Sequence, residues 1–589
     1  MHPRDHRAAR TVQPAAVGAP DQLAPRRTHQ RAARLLVEQL KASGIDTIFG
    51  LPGGAVGPLY DALLDEPSLR VITTRHEAGA MFAAAGYAWA TERPAAVIVT
   101  SGPGALNCMT GIASARCDSL PVIVIAGEVA RTSFGKGALQ EGSPYHLGIT
   151  AMARCAAKLA VDVPSAESLP WLLRQAVTTA TTGRRGPVFL SVPLDVSMAE
   201  VPRQGALVAP PSAPALGYGE VLDRLARTLE RAKRPAILAG SGVRWGRGPE
   251  RLRALAERLQ VPVMTTPKAK GVFPESHPLS LGVFGYGGHP SAQAYASTAR
   301  IDVLLALGSG LSDPATNGWS PLLAATEHLV HVDIDAGQIG RSYPVSLGVV
   351  GRAEDVLEEL LARLPPGDRE LRTFGVTHHS FAPATGQGLV SPVVALEAVQ
   401  WSMPADTLYT CDIGQHLHFA THTLRLDHPR SFLSMTGLAS MGSAIPAAVG
   451  AAVGDTRRPV VAICGDGGYL MSLAELATAA QARLPVTVVV LDDRRYSMVE
   501  LGHLAHFGRT PGFPSDEVDI AALARGAGAE AVEVAAASLD FVGEVLARPA
   551  SGPRVLHVRI DPAVRMPSDQ RSKDMISKLG TTREQGAAT

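Results

Sequence analysis

Asp466 and Asp493 are the residues whose types and spacing most directly promise chemistry in this chain. Each stands just past an apolar, β-branched run, Val460–Ile463 and Leu484–Leu491, that reads as a buried strand. Asp466 is flanked by Gly465, Gly467 and Gly468, and glycines there let backbone approach a ligand closely. Leu470–Ala482 has helical spacing, so Asp466 falls where a strand turns into a helix. Free N–H groups at such a helix start attract anions. Two carboxylates beside a phosphate-seeking turn suit a divalent cation bridging to a diphosphate, whose oxygens complete the ligand set. For Gly465–Gly468 alone, a glycine-rich turn of any doubly wound sheet is the alternative.

The chain must supply the elements that position such a pair. Its 589 residues exceed one core, so two to four domains are expected. A net charge of +1 gives no reason to expect a nucleic-acid or membrane partner. No run reaches the roughly 18 apolar residues that a membrane helix needs. Cys108, Cys117, Cys155, Cys411 and Cys464 show no CxxC spacing and mostly sit in apolar runs. They read as buried, reduced thiols of a cytoplasmic protein. Residues 1–28 are rich in Arg, Ala and Pro, without an apolar signal core, and read as a flexible extension. A transit peptide is the alternative, with Asp5 and Asp21 against it.

Three α/β units follow. Strand, glycine turn, helix, Leu-Pro-Val and strand succeed one another in Ala95–Gly127, and again from Val460 to Leu491. This order predicts two similar units, at 29–200 and 390–565, with convergence of two βαβ units as the alternative. Thr28 is a candidate cap for a helix through Ser43. Between the units, 215–364 alternates helix and strand, with Ile237–Ala239, Val261–Thr265, Val303–Leu307 and Leu329–Ile334 as strands, and reads as a further doubly wound sheet. Val201–Gly219 and Pro365–Leu389 read as linkers, Ser391-Pro392 as a helix start, and 566–589 as a polar tail.

Further motifs, in chain order, carry a family resemblance. They are Leu51-Pro52-Gly53-Gly54, RHEAGAMFAAAGYA from Arg75, Leu139-Gln140-Glu141, Asp412-Ile413-Gly414-Gln415-His416 and TGLASMG from Thr436. With GDG at Gly465, the chain resembles the acetolactate synthase group of thiamine diphosphate enzymes over nearly its whole length after the extension. The resemblance implies three doubly wound parallel-sheet α/β domains, thiamine diphosphate and Mg2+. It puts Pro52, Gly53, Gly54, Gly414, Gln415, His416, Ala439, Met441, Gly465, Asp466, Gly467, Gly468, Asp493, Tyr496 and Met498 around the cofactor. The metal shell would be Asp466, Asp493 and the Arg495 carbonyl. Glu77 would activate the cofactor through its aminopyrimidine ring, holding a proton in a mostly apolar pocket. Gln140 would lie near the reacting carbon, and Glu77 would meet Asp466 of a second subunit in a homodimer or homotetramer. Simpler readings are a dipole-complementing first-turn glutamate for Glu77, a solvent-facing loop residue for His416 and core packing for Met441.

Departures from the family pattern are as informative. Asp493 stands where relatives usually have Asn. In LALGSGLSDPATN, from Leu305, Pro314 takes the place of the arginine that holds the carboxylate of a 2-oxo acid acceptor. Gly502 follows Ser497-Met498-Val499 where the family has a tryptophan, and Leu139 replaces a phenylalanine. These changes leave the donor side intact. They predict a decarboxylating carboligase with a 2-oxo acid donor, pyruvate first, and an altered acceptor: an aldehyde, a ketone or a carrier-bound acyl chain, giving an acyloin. An ordinary acetolactate synthase and a flavin-linked 2-oxo acid oxidoreductase are the alternatives. FAD is disfavoured but left open, since Gly240-Ser241-Gly242 lacks the third glycine of a nucleotide turn.

Overall fold

The computed structural model describes residues 28–203, 219–324, 326–367, 370–386, 388–513, 517–536 and 539–566. Nearly all of the N-terminal extension and of the polar tail, and most of the first linker, lie outside the described residues.

Three parallel six-stranded sheets organise the chain. The first holds β1 (Thr47–Gly50), β2 (Arg70–Thr73), β3 (Ala95–Val99), β4 (Val122–Glu128), β5 (Leu159–Asp162) and β6 (Val188–Pro193), in the order β2-β1-β3-β4-β6-β5. The central sheet holds β7 (Ala236–Ala239), β8 (Val263–Thr265), β9 (Ser280–Val283), β10 (Val303–Leu307), β11 (His328–Asp333) and β12 (Leu347–Val350), in the order β9-β8-β7-β10-β11-β12. The last holds β13 (Leu408–Cys411), β14 (Phe432–Leu433), β15 (Val460–Gly465), β16 (Val486–Asp492), β17 (Glu530–Val534) and β18 (Arg554–Arg559), in the order β14-β13-β15-β16-β18-β17. The first and last sheets thus share one topology, as the repeated motif order predicts. The central sheet has the order of a dinucleotide-binding fold.

Sequence explains the inner strands. β15 and β16 are buried almost end to end, as β-branched strands covered on both faces must be. They pair in register with Gly465 opposite Leu491. Asp466 and Asp493 therefore emerge from neighbouring strand ends at the same edge of the sheet.

Two local expectations are corrected. The helix foreseen from Leu470 starts earlier and comes in two pieces, α4 (Asp466–Ser472) and α5 (Ala474–Gln481). The strand end delivers the chain directly into a helix capped at Gly465, with Gly467 and Gly468 inside it. Thr28 caps nothing: His29–Arg31 pairs antiparallel with Glu200–Pro202, and the helix Ala32–Ala42 begins after Arg31. Tertiary pairing outweighs the capping preference there.

The first and last units share one core. Helix α1 (Glu77–Thr91) is buried from Gly79 to Ala90 and crosses α3 (Ala444–Gly454) backbone to backbone. A methyl group on Gly86 would stand 2.1 Å from the Ala447 carbonyl oxygen, and one on Gly450 would stand 1.8 Å from that of Ala83. Glu475 on α5 adds a polar tie: its carboxylate accepts the backbone N–H groups of Arg75 (3.1 Å) and His76 (3.0 Å), just ahead of Glu77. All five cysteines are free, but Cys155 is exposed rather than buried, because the helix Ile149–Ala156 turns it outward. Among the described residues no helix is long and apolar enough to cross a membrane.

Candidate active site

A cavity of about 630 Å3 opens where β13, β15 and β16 end. Every residue read into the site from Gly414 onward lines it: Gly414, Gln415, His416, Ala439, Met441, Gly465, Asp466, Gly467, Gly468, Asp493, Arg495, Tyr496 and Met498. Two helices begin at its floor, α2 (Gln415–Thr423) after Gly414 and α4 after Gly465. Their unpaired N–H groups give the floor a positive potential.

The floor is closely packed at its glycines. A methyl group on Gly414 would lie 2.5 Å from the His416 ring, and one on Gly468 would lie 2.1 Å from an Asp412 carboxylate oxygen. His416 is buried, which pushes its pKa down to about 4 against the pull of the Asp412 carbonyl. Its Nε2 has no hydrogen-bond partner among the described residues. A buried polar atom left unpaired inside a native fold calls for a ligand. The two helix starts and this unpaired nitrogen mark the floor as a candidate ligand site.

The carboxylates carry the chemistry of a cation site. Asp493 accepts a hydrogen bond from the Ser497 hydroxyl and one from the Arg495 N–H at 3.3 Å. Burial raises its pKa, the neighbouring Asp466 charge adds to this, and the value reaches about 6. Asp412 was not foreseen as a site residue. Fully buried, it takes the N–H groups of Gly442 (2.8 Å) and Ser443 (3.1 Å) and so fixes the segment carrying Met441. In that segment Ala439 is held in the left-handed region (φ 61°), as is Arg494 (φ 57°) between the two metal-candidate positions. Strain of this kind persists only where packing enforces it.

Pro52, Gly53, Gly54, Glu77 and Gln140 do not line this cavity. Most of them gather elsewhere, around Thr100. Gly53 and Gly104 both abut the Thr100 side chain, Gly104 faces a Glu77 carboxylate oxygen and Gly102 faces Gln140. Asn107 donates to Glu77 at 2.9 Å, and Gln140 is another left-handed residue (φ 62°). Both half-sites are rimmed by bare apolar side chains. Leu139 (89% exposed) and Tyr145 (77%) stand near Gln140, and Met471 (65%) and Phe507 (64%) stand near the cavity.

Pro314 lies in neither half-site. It lines a second cavity of about 940 Å3, at the reversal of strand order between β7 and β10 in the central sheet. Gly242, Gly308, Asp333, Arg184 and Arg352 also line that cavity.

The chain matches models of the thiamine pyrophosphate enzyme N-terminal TPP-binding domain over residues 30–147, of the central domain over 222–360 and of the C-terminal TPP-binding domain over 412–558. It is 33% identical over 546 residues to the acetolactate synthase isozyme 1 large subunit of Escherichia coli, spanning 90% of this chain and 94% of that one. It is 35% identical over 484 residues to the acetolactate synthase large subunit of Corynebacterium glutamicum, spanning 79% and 75%. A solved thiamine diphosphate-dependent 4-hydroxybenzoylformate decarboxylase of Rhodococcus jostii shares the fold, with a TM-score of 0.78 at 24% identity over 90% of this chain and 99% of that one. An anion-seeking floor in a parallel-sheet unit, matched along the chain to these relatives, identifies a thiamine diphosphate-dependent, carbon–carbon bond-forming enzyme, and the chain belongs to the acetolactate synthase group of the thiamine pyrophosphate enzyme family.

Proposed function

We propose that this enzyme is a decarboxylating carboligase that takes its donor from a 2-oxo acid, pyruvate first, and passes it to an acceptor without a carboxylate. The observation that carries the acceptor assignment is the absence of a suitable cation. Arg495, the one lysine or arginine among the described residues lining the C-terminal cavity, pairs through Nη1 with Glu500 at 3.4 Å. A carboxylate acceptor would want a free guanidinium.

Bound thiamine diphosphate supplies a sink for the electrons left by decarboxylation. The chain's own residues bind and orient it. The starts of α2 and α4 would hold the diphosphate, with His416 beside it. Asp466, Asp493 and the Arg495 carbonyl would hold Mg2+, and Met441 and Tyr496 shape the floor. Glu77 would hold and move the proton at the aminopyrimidine ring, and Gln140 would lie near the reacting carbon. Because these last two sit in the other half-site, the working enzyme is a homo-oligomer in which one subunit's Glu77 completes another's cavity. The exposed apolar rims fit such an interface.

The metal assignment has a pH consequence. A cation needs Asp493 ionised, and its pKa is raised to about 6, so protons compete with the metal below that pH. Apparent Mg2+ affinity is expected to fall roughly tenfold per pH unit below pH 6. Asp493→Asn should remove that slope, and magnesium titrations of cofactor binding on either side of pH 6 check it. An unchanged slope would place the metal elsewhere.

The deciding experiment is carbon dioxide release from pyruvate, with and without thiamine diphosphate and Mg2+, followed by mass analysis of the product. Slow release that rises on adding an aldehyde supports the proposal. Acetolactate as the product would instead mark an ordinary synthase, the reading favoured by the relatives' names. The central cavity also keeps a dinucleotide open, since it lies where a 3-2-1-4-5-6 sheet binds one. Flavin absorbance of the purified protein would show it.

A further inference from the structure

One helix forms a wall of the C-terminal cavity. Met498, Val499, Gly502, His503, His506 and Phe507, all on α6 (Ser497–Phe507), line it with the spacing of a single helical face. The helix contains no lysine or arginine. It starts beside Asp493, so His503 and His506 lie roughly 9 to 14 Å along its axis, away from the metal end.

That outer wall is polar in an unusual way. A methyl group on Gly502 would meet nothing within 4 Å, so the helix leaves open space there. His503 stands edge-on to Phe513 (centroids 5.0 Å apart, planes at 81°) and tilted against Phe507 (5.2 Å). Ring packing thus sets its orientation. His506 Nδ1 lies 2.7 Å from the Gly502 carbonyl oxygen, so it carries the hydrogen and donates it there. His506 Nε2 is left without a partner among the described residues. In the neutral ring that nitrogen accepts a hydrogen bond.

We propose that His503 and His506 recognise the acceptor substrate, and that they select a neutral carbonyl compound carrying a hydroxyl group next to its carbonyl carbon. The inference deepens the carboligase reading above and rests on it. An imidazole can accept an O–H and can donate to a carbonyl oxygen, and it lacks the fixed planar charge that a carboxylate requires. Met498, Val499 and Phe507 leave apolar surface for the carbon skeleton, and the gap at Gly502 gives it room. A site built to bond a hydroxyl discriminates against an analogue lacking one, because its polar groups are then left unpaired.

The test uses pyruvate as donor and three small acceptors: glycolaldehyde, acetaldehyde, which lacks the hydroxyl, and glyoxylate, which carries a carboxylate. The wild-type enzyme is expected to show a kcat/KM for glycolaldehyde about tenfold or more above that for acetaldehyde. In H503F/H506F, which keeps ring volume but removes the hydrogen bonds, the ratio should fall to about one. Single His→Asn variants keep a donor and an acceptor and should retain most of the preference. Both acceptors are measured on one preparation, so any loss of folded protein cancels in the ratio. If the double variant turns over neither, H503F and H506F singly decide by the same ratio. A wild-type ratio near one, a ratio that survives in the Phe variants, or a preference for glyoxylate overturns the assignment. Failure of the wild-type protein to release carbon dioxide from any 2-oxo acid overturns the parent reading instead, and that is seen before an acceptor is added.

Discussion

Glu77→Gln lowers turnover at least about a hundred-fold while leaving thiamine diphosphate bound at near wild-type affinity. The reasoning begins with position. Glu77 opens α1 in the half-site around Thr100 and lines no part of the cavity whose floor suits the diphosphate. Its carboxylate accepts from Asn107 at 2.9 Å, a bond that a glutamine oxygen also accepts. The substitution therefore keeps shape and local bonding and removes only the ability to carry a proton. A positioned acid–base group typically contributes a factor of about 10² to 10⁴, whereas the binding energy comes from the diphosphate and metal end. Turnover measured beside calorimetric cofactor affinity separates the two. If affinity collapses while each bound cofactor still turns over at the wild-type rate, Glu77 is a binding residue and its proposed role is wrong.

Much of this arrangement is legible in the sequence, and what is not has physical reasons. Parallel strands leave their C-terminal ends at one edge, and Asp466 and Asp493 come together there because β15 and β16 are neighbours. The topology shared by the first and last sheets was legible because its turns recur in the same order. Asp412 was quoted within its motif but not read as a site residue. Its partners, Gly442 and Ser443, are some thirty positions away, and no local pattern encodes a carboxylate bonded to distant backbone. The Ser497 hydroxyl on Asp493 was missed, although its offset of four residues is the kind a strand-to-helix turn brings together. At Gly502 the sequence reads only as the loss of the family's tryptophan. The helical spacing of His503, His506 and Phe507 could have shown otherwise, because the face that carries Met498 returns at each turn. No local pattern of residues says which copy of a chain supplies which half of a site.

The proposed homo-oligomer makes a strong claim about mixed dimers. Within one chain, Glu475 grips the backbone just before Glu77, and the Gly86 and Gly450 contacts lock α1 against α3. Glu77 is thus rigidly tied to its own last unit, yet absent from that unit's cavity. A heterodimer of one Glu77→Gln chain and one Asp466→Asn chain, isolated by two different tags, should therefore recover about half of wild-type turnover, although each parent homodimer is nearly inactive. One of its two sites joins the intact Glu77 of one chain to the intact Asp466 of the other. The converse pairing is the sharper control. A chain carrying both substitutions, paired with a wild-type chain, spoils both sites and should be nearly inactive. If each site were built within one chain, the outcomes would exchange: the first heterodimer would be dead and the second half active. The two heterodimers contain the same substitutions in the same number. A difference in stability between them cannot produce this exchange, and only the assignment of Glu77 and Asp466 to one chain or two can.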